Sequence, residues 1–389
     1  MFEFDELWGR ALDEAAAAGR RRRLRPVVKL PNARLRYGDG PALIDFSSND
    51  YLGLAHHPAL IETARDYAQR FGAGAGASRL VAGNLAPLEE IEAKLAAGKG
   101  AQAALVFVSG AQANLTLLPA LLDVKTLGAA PLVYADRLNH ASLIQGCIAA
   151  GVRQIRFRHN DLEHLEELLA RDAELDRPRF IITESVFSMD GDGPDMAALQ
   201  ALAEKFGAFL YIDEAHATGV LGETGFGLAH GLKNGLAMGT FSKGLGGFGA
   251  YVAGSAMLRE YLVNRCGGVI YATALPPAVL GAMNAALDLI PQMAAERAHL
   301  HGLAAHLRAR LWAMGLDTGE SFTQIVPLIL GEEAKALALA ASLERDGFAT
   351  VAIRPPTVPA GTSRLRLALC ALHTQSEIDA LADAIGRLL

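Results

Sequence analysis

The sequence predicts an α/β fold, with a large domain built on a mostly parallel sheet and a smaller α+β domain behind it. From about residue 100 onward, short continuous apolar runs alternate with helix-period segments, the pattern of parallel strands joined by crossover helices. After Pro277 the pattern changes, and a long helical stretch gives way to shorter strands and helices. A length of 389 residues suits a large domain with a smaller companion.

Residues 1–45 read as an N-terminal helix and an extended segment, 46–285 as the large α/β domain and 286–389 as the small one. Leu105-Val106-Phe107-Val108 runs into Ser109-Gly110, Leu132-Val133-Tyr134-Ala135 ends at Asp136, Phe180-Ile181-Ile182-Thr183 ends at Glu184, and Phe209-Leu210-Tyr211-Ile212 ends at Asp213. Unbroken apolar runs of this kind suit strands buried on both faces. Residues 196–206 have helical period and stop at Gly207, a C-terminal cap. Beyond Pro277, one helical stretch is expected to reach about Gly315, followed by a strand at 325–330, a helix from Glu332 to about Arg345 and strands near Val351 and Leu365. Thr374-Gln375-Ser376-Glu377 is a capping box that opens the last helix.

Composition narrows the function classes. Hydrophobic residues at 51% and charged residues at 20% fit a globular enzyme and exclude disorder as the main state. A net charge of -6 gives no bulk drive toward nucleic acid or an anionic membrane. Cys147, Cys266 and Cys370 form no Cys-x-x-Cys pair and have no histidine at metal-ligand spacing, so no metal site is expected and a reduced, cytoplasmic setting follows. The first ten residues lack a long apolar core, so no signal peptide is expected, and no stretch suits a bilayer span. The run Arg20-Arg21-Arg22-Arg23, with Arg25 beyond, is by default a solvated basic helix end.

The strongest chemical signal is Thr240-Phe241-Ser242-Lys243-Gly244. An isolated lysine is ordinarily a surface charge. Asp213, 243 − 213 = 30 positions upstream at a strand end and followed by His216, changes that reading. A carboxylate where a strand leaves an α/β sheet points into the ligand crevice, where it can pair with a protonated pyridine nitrogen. The cationic ring then absorbs electrons from a carbanion at the substrate α-carbon, which is the chemistry of pyridoxal phosphate held by Lys243 as a Schiff base. His216 can donate to the cofactor's phenolic oxygen or to Asp213; a turn-capping Asp and a core-edge His are the plain alternative.

Ser109-Gly110-Ala111 supplies backbone donors for a phosphate if it opens a helix, and Thr240 and Ser242 can add hydroxyls; an ordinary strand-to-helix turn capped by Ser109 is the alternative. Gly244-Leu245-Gly246-Gly247-Phe248-Gly249 fits the dinucleotide pattern, but strand-like Ala250-Tyr251-Val252-Ala253 follows it and the first downstream acid, Glu260, comes too early. His140 falls just past a strand end, where an imidazole can stack on a planar ring, although a capping or core role is the default. Arg364 and Arg366 are read as alternating along a strand, one facing in and one out, the inward guanidinium serving as a fork for a substrate carboxylate.

Ser47-Ser48-Asn49-Asp50-Tyr51-Leu52-Gly53-Leu54, Val186-Phe187-Ser188-Met189-Asp190-Gly191-Asp192, Asp213-Glu214-Ala215-His216, Thr240-Phe241-Ser242-Lys243-Gly244 and Pro356-Thr357-Val358-Pro359-Ala360-Gly361-Thr362 together resemble the α-oxoamine synthases, in order and over nearly the whole chain. The resemblance implies a fold-type-I pyridoxal-phosphate-dependent transferase, aspartate aminotransferase-like, working as a homodimer with shared active sites. It implies Lys243 as the covalent attachment, His140 for ring stacking, Asp213 for the ring nitrogen, and His216 and Ser188 on the phenolic side. Gly110, Ala111, Thr240 and Ser242 are implied for phosphate, with Thr273 reaching the phosphate of the other subunit. Arg366, assisted by Asn49, is implied for the amino-acid carboxylate, and Arg22 and Thr357 for the acyl substrate.

Within the family, the basic run, Phe187-Ser188-Met189-Asp190 and Ile353-Arg354-Pro355-Pro356 favour the member that condenses L-alanine with pimeloyl-CoA or a pimeloyl-carrier protein over those using glycine with acetyl-CoA or succinyl-CoA. A catalytically inactive partner subunit is the non-enzyme alternative, and retention of Lys243 argues against it. Ala111 stands where such enzymes usually carry an aromatic residue, which bears on packing beside the phosphate.

Overall fold

In the computed structural model, residues 3–17 and 19–389 are described. The strands, in chain order, are β1 (Val27–Leu30), β2 (Arg34–Tyr37), β3 (Leu43–Asp45), β4 (Ala103–Phe107), β5 (Leu132–Asp136), β6 (Gln154–Phe157), β7 (Arg179–Glu184), β8 (Phe209–Asp213), β9 (Gly235–Thr240), β10 (Ala250–Gly254), β11 (Ile325–Gly331), β12 (Phe348–Ala349), β13 (Val351–Ile353) and β14 (Ser363–Ala368). The middle of the chain forms one seven-stranded sheet in the order β4-β10-β9-β8-β7-β5-β6. Only β10 runs against its neighbours, β4 and β9. The sheet is therefore mostly parallel, and its unbroken apolar runs are buried along nearly their whole length.

Parallel strands share one carboxyl edge. The ends of β4, β5, β7, β8 and β9 consequently deliver Ser109, Asp136, Glu184, Asp213 and Thr240 to the same rim. β10 follows the glycine-rich loop as a strand, as its apolar run required. Gly246 in that loop has φ of 64°, and a Cβ there would lie 2.5 Å from the Ala55 nitrogen and the Leu54 carbonyl carbon. Its glycine serves a left-handed turn pressed against another backbone, not a pyrophosphate.

The smaller C-terminal domain carries an antiparallel sheet, β11-β14-β13, with the helices Glu333–Arg345 and Gln375–Leu388. β3 pairs in parallel with β12, so the N-terminal hairpin joins a sheet β1-β2-β3-β12 that ties it to the C-terminal part of the chain. The capping box is present, with Thr374 Oγ1 accepting from the Glu377 N–H at 3.3 Å and the Thr374 N–H donating to Glu377 at 2.9 Å. Met196–Lys205 is helical, and Gly207 just beyond adopts φ of 61°.

One expectation is corrected. The stretch 277–315 is not a single helix but Pro277–Leu289, a 3₁₀ turn Ile290–Gln292 and Ala294–Ala313, bent by 77°. Pro291 lacks the N–H that a continuing helix needs and clashes with the preceding turn. No single helix among the described residues is long and apolar enough to cross a membrane.

Candidate active site

The helix Gly110–Leu121 opens directly from β4, with Ser109 Oγ accepting from the Gln112 N–H at 3.2 Å. Ser109 is thus an ordinary N-cap, and the capped helix start also faces a cavity of about 230 Å³ lined by Gly110, Ala111, Asp213 and Lys243 among others. A Cβ on Gly110 would meet nothing closer than Met238 at 3.8 Å. Protein packing does not demand this glycine; its bareness leaves space over backbone donors, as an anion at a helix start requires.

β8 carries Asp213 into the same cavity, 4% exposed. Asp213 Oδ1 accepts from the Ala215 N–H and Oδ2 from Asn114 Nδ2, both at 2.9 Å. Asn114 is itself held by Tyr211, whose hydroxyl donates to Oδ1 at 2.6 Å, and it donates to Ser142 Oγ at 2.9 Å. The carboxylate is therefore fixed in place by two donors while its surroundings stay closed to bulk water.

Lys243 Nζ sits 2.7 Å from His216 Nε2. Burial pushes the Lys243 ammonium down to about 8, the nearby Asp213 and Glu184 pulling it up and Arg366 adding to the drop. Burial, then the neighbouring Lys243 and Arg366, hold the His216 imidazole well below its ordinary range, so it is neutral. Its other nitrogen, Nδ1, lies 2.6 Å from the Tyr51 hydroxyl. A second carboxyl, Glu184, lines the cavity and accepts from the His140 N–H at 2.5 Å. Burial, reinforced by Asp213, raises it well above the usual carboxyl range of 4.5.

The arginine pair departs from expectation. Side chains two residues apart on a strand point the same way, and Arg364 and Arg366 are both buried and both reach the 188–190 turn. Arg364 pairs with Asp190. Arg366 donates to the Ser188 carbonyl at 2.5 Å, to Asn49 Oδ1 at 2.9 Å and to the Tyr51 hydroxyl at 3.1 Å. Neither faces out, and the difference between them is that Arg364 is matched by a carboxylate while Arg366 has only neutral partners.

Gly110, Ala111, His140, Asp213, His216, Thr240, Ser242 and Lys243 all line the one cavity. Asn49 and Arg366 join it through Tyr51 and His216. His140 both caps the helix Ala141–Ala149, its Nδ1 accepting from the Ser142 N–H at 3.2 Å, and opens onto the cavity. The Thr240 hydroxyl donates its one proton to the Gly249 carbonyl at 2.8 Å, so in the 2.7 Å contact between the two hydroxyls Ser242 donates to the Thr240 oxygen. Ser188 meets Arg366 through its carbonyl and is not among the residues lining the cavity. Thr273 lies elsewhere, exposed and bridged to Ser78. Arg22 and Thr357 are also exposed and outside the cavity. The basic run is not a free helix end, because Arg20 pairs with Glu333 and Arg25 with Glu344 on one helix of the small domain. Sequence reasoning passed over Asn114, Tyr51 and Glu184, of which only Glu184, an acid closing an apolar run, carried a local signal.

A family model described as aminotransferase class I and II matches residues 41–385. The chain belongs to that family. An 8-amino-7-oxononanoate synthase from Gluconacetobacter diazotrophicus is 56% identical over 99% of this chain and 97% of its own length. A structure described as SPT with PLP internal aldimine superposes with a TM-score of 0.89 at 27% identity, covering 99% of this chain and 97% of that one. The crystal structure of 8-amino-7-oxononanoate synthase from Francisella tularensis gives a TM-score of 0.76 at 25% identity, covering 89% and 97%. The fold is that of the fold-type-I pyridoxal-phosphate transferases, and the relatives and structures named above are α-oxoamine synthases.

The aminotransferase class I and II family uses pyridoxal phosphate, and the residues present fit it. A buried carboxylate for a ring nitrogen, an amine near neutrality for an aldehyde and a bare helix start for a phosphate open on one cavity.

Proposed function

We propose that the chain condenses L-alanine with pimeloyl-CoA, or with a pimeloyl-carrier protein, to give 8-amino-7-oxononanoate, the free thiol carrier and carbon dioxide in biotin biosynthesis. The observation that carries this reading is the meeting of Lys243, Asp213 and the Gly110 helix start on one cavity, in a chain 56% identical to a relative of that name.

Bound pyridoxal phosphate supplies the electron sink for the substrate α-carbon. Lys243 is the covalent attachment and then, with its amine near neutrality, the general base for the α-proton. Asp213, oriented by Asn114 and the Ala215 N–H, holds the ring nitrogen's charge. Gly110, Ala111, Ser242 and Thr240 bind phosphate, His140 covers the ring, and His216 serves the phenolic side; the role of Ser188 on that side rests on the family resemblance alone. Arg366, lacking a carboxylate of its own, takes that of alanine with Asn49 beside it. Arg22 and Thr357 bind the far end of the acyl chain, and Thr273 reaches the phosphate held by a second copy, so the working form is a homodimer with shared sites. A cytoplasmic setting belongs to the same reading, supported by three unpaired, buried cysteines.

The test is direct. Protein purified with pyridoxal phosphate should show a visible absorption band that Lys243→Ala abolishes, and thiol release should be fastest with L-alanine and pimeloyl-CoA. Equal or faster turnover with glycine and acetyl-CoA or succinyl-CoA would overturn the substrate assignment; a band indifferent to Lys243 would overturn the cofactor assignment.

A further inference from the structure

Tyr51 is fully buried and its hydroxyl stands at a junction. Arg366 Nη2 lies 3.1 Å from it, Asn49 Oδ1 3.1 Å and His216 Nδ1 2.6 Å, while the opposite nitrogen of the same imidazole is 2.7 Å from Lys243 Nζ. A continuous hydrogen-bonded chain thus runs from the carboxylate-seeking arginine to the reactive amine. Arg366 can only donate. The Tyr51 oxygen therefore accepts from it and has one proton left, to give either to Asn49 or to His216. Burial raises the phenol above its ordinary range and keeps that proton in place, and the neutral imidazole has a single N–H to distribute.

The two choices have opposite consequences for Lys243. When Tyr51 donates to Nδ1, the ring proton must sit on Nε2, which donates to the Lys243 amine and occupies its lone pair. When Tyr51 donates to Asn49 instead, Nδ1–H donates back to the tyrosine oxygen, and Nε2 accepts an N–H from Lys243. The lone pair of the amine is then turned toward the cavity, free to act. Asn49 Oδ1 and the Tyr51 oxygen both take hydrogen bonds from Arg366 Nη2. A carboxylate bound to Arg366 competes for those donors and leaves Asn49 short of one, so Asn49 becomes the better acceptor for the tyrosine proton.

We infer that Tyr51 is a positioning residue whose hydroxyl selects the tautomer of His216, so that a carboxylate held at Arg366 turns the lone pair of the free Lys243 amine toward the substrate. The carboxylate half of this statement rests on the role given to Arg366 above; the tautomer half does not.

The test uses the full chain freed of pyridoxal phosphate and held at about pH 9.5, above the Lys243 titration near 8, so that Lys243 is a neutral amine, with ¹⁵N-labelled histidine and propionate as a plain carboxylate probe. Saturating propionate should move His216 from Nε2–H toward Nδ1–H, changing the ratio by about threefold to tenfold, the range one hydrogen bond commands. Asn49→Ala removes the alternative acceptor and should hold His216 in the Nε2–H form with or without propionate. Tyr51→Phe should abolish the response while circular dichroism and melting show the fold retained. An unresponsive wild-type tautomer, or one that responds equally in Tyr51→Phe, would overturn the relay. If propionate shifts the tautomer yet the loaded enzyme does not react with L-alanine, the relay stands and the substrate reading falls; product formation with no tautomer shift has the reverse meaning.

Discussion

Glu184 and Asp213 are register partners at the ends of adjacent parallel strands, and both carboxyl groups open on the cavity that holds Lys243. Two acids side by side in a buried site do not ionise equally, and burial together with Asp213 raises Glu184 well above 4.5. In its protonated form Glu184 keeps a carbonyl-type oxygen for the His140 N–H.

Glu184→Gln should therefore stay within about 1 kcal/mol of the parent at pH 7, whereas Glu184→Ala, which strands the His140 N–H, should cost about 1–3 kcal/mol in denaturant melts. The sign with pH is fixed. The folded form keeps this proton where the unfolded form has released it, so the group's contribution is complete below 4.5 and falls away as pH rises through the folded value. The glutamine variant lacks that loss and should gain on the parent as pH rises; a constant gap would show that Glu184 is ionised throughout.

His159 is clamped between two acids, with Nδ1 3.0 Å from Asp136 and Nε2 3.0 Å from Asp192, and its ring meets Phe187 edge-on at 4.4 Å. Burial works against the charged ring, but the hydrogen bonds and charges of Asp136 and Asp192 outweigh it and raise the imidazole to about 10. The clamp joins the end of β5, just before His140, to the turn that carries Ser188 and Asp190. Its stabilisation is fully present below 6.5 and is lost as pH climbs through about 10. His159→Gln should cost about 3–5 kcal/mol at neutral pH, as removal of one buried partner does, and should flatten the stability profile over that alkaline window. Thermal melts from pH 6 to 10 on both proteins check it; parallel profiles would refute a charged His159.

Much of this was legible in the sequence, for one physical reason. Parallel strands buried on both faces must be apolar throughout, so their polar ends stand out, and Asp136, Glu184 and Asp213 mark the rim in the sequence itself. β9 went unread because Gly-Leu-Ala-Met-Gly-Thr has little strand preference; Gly239 is bare since a Cβ there would fall 2.4 Å from the Tyr251 hydroxyl. Tyr51 and Asn114 were invisible as site residues because their partners lie 165 and 99 positions away. The arginine pair went wrong through a miscounted period: two residues along a strand return to the same face.

The Lys243 amine should titrate near 8 in protein freed of cofactor, against 10.5 for an ordinary lysine. Reductive methylation followed by peptide mapping should show its rate levelling above about pH 8 while surface lysines keep accelerating. Asp213→Asn removes the largest charge that raises the group and should move the midpoint lower, and Glu184→Gln, which removes the next one, should lower it by less. A Lys243 midpoint near that of the surface lysines would remove the basis for its role as a base at neutral pH.

Immediately behind Asp213, Glu214 forms a fully buried ion pair with Lys99 and also accepts the N–H groups of Leu228 at 2.6 Å and Ala229 at 2.9 Å. Each charge is tolerable only because the other is there. Lys99→Met leaves the glutamate uncompensated and should cost about 3–5 kcal/mol in denaturant melts. Adding Glu214→Gln to that variant removes the stranded charge while keeping an oxygen for the two N–H groups, so the double variant should be more stable than Lys99→Met alone. If the second change deepens the loss instead, the glutamate is sustained by the backbone donors rather than by Lys99, and the loop 227–229 would then be the element that holds the strand end bearing Asp213 in place.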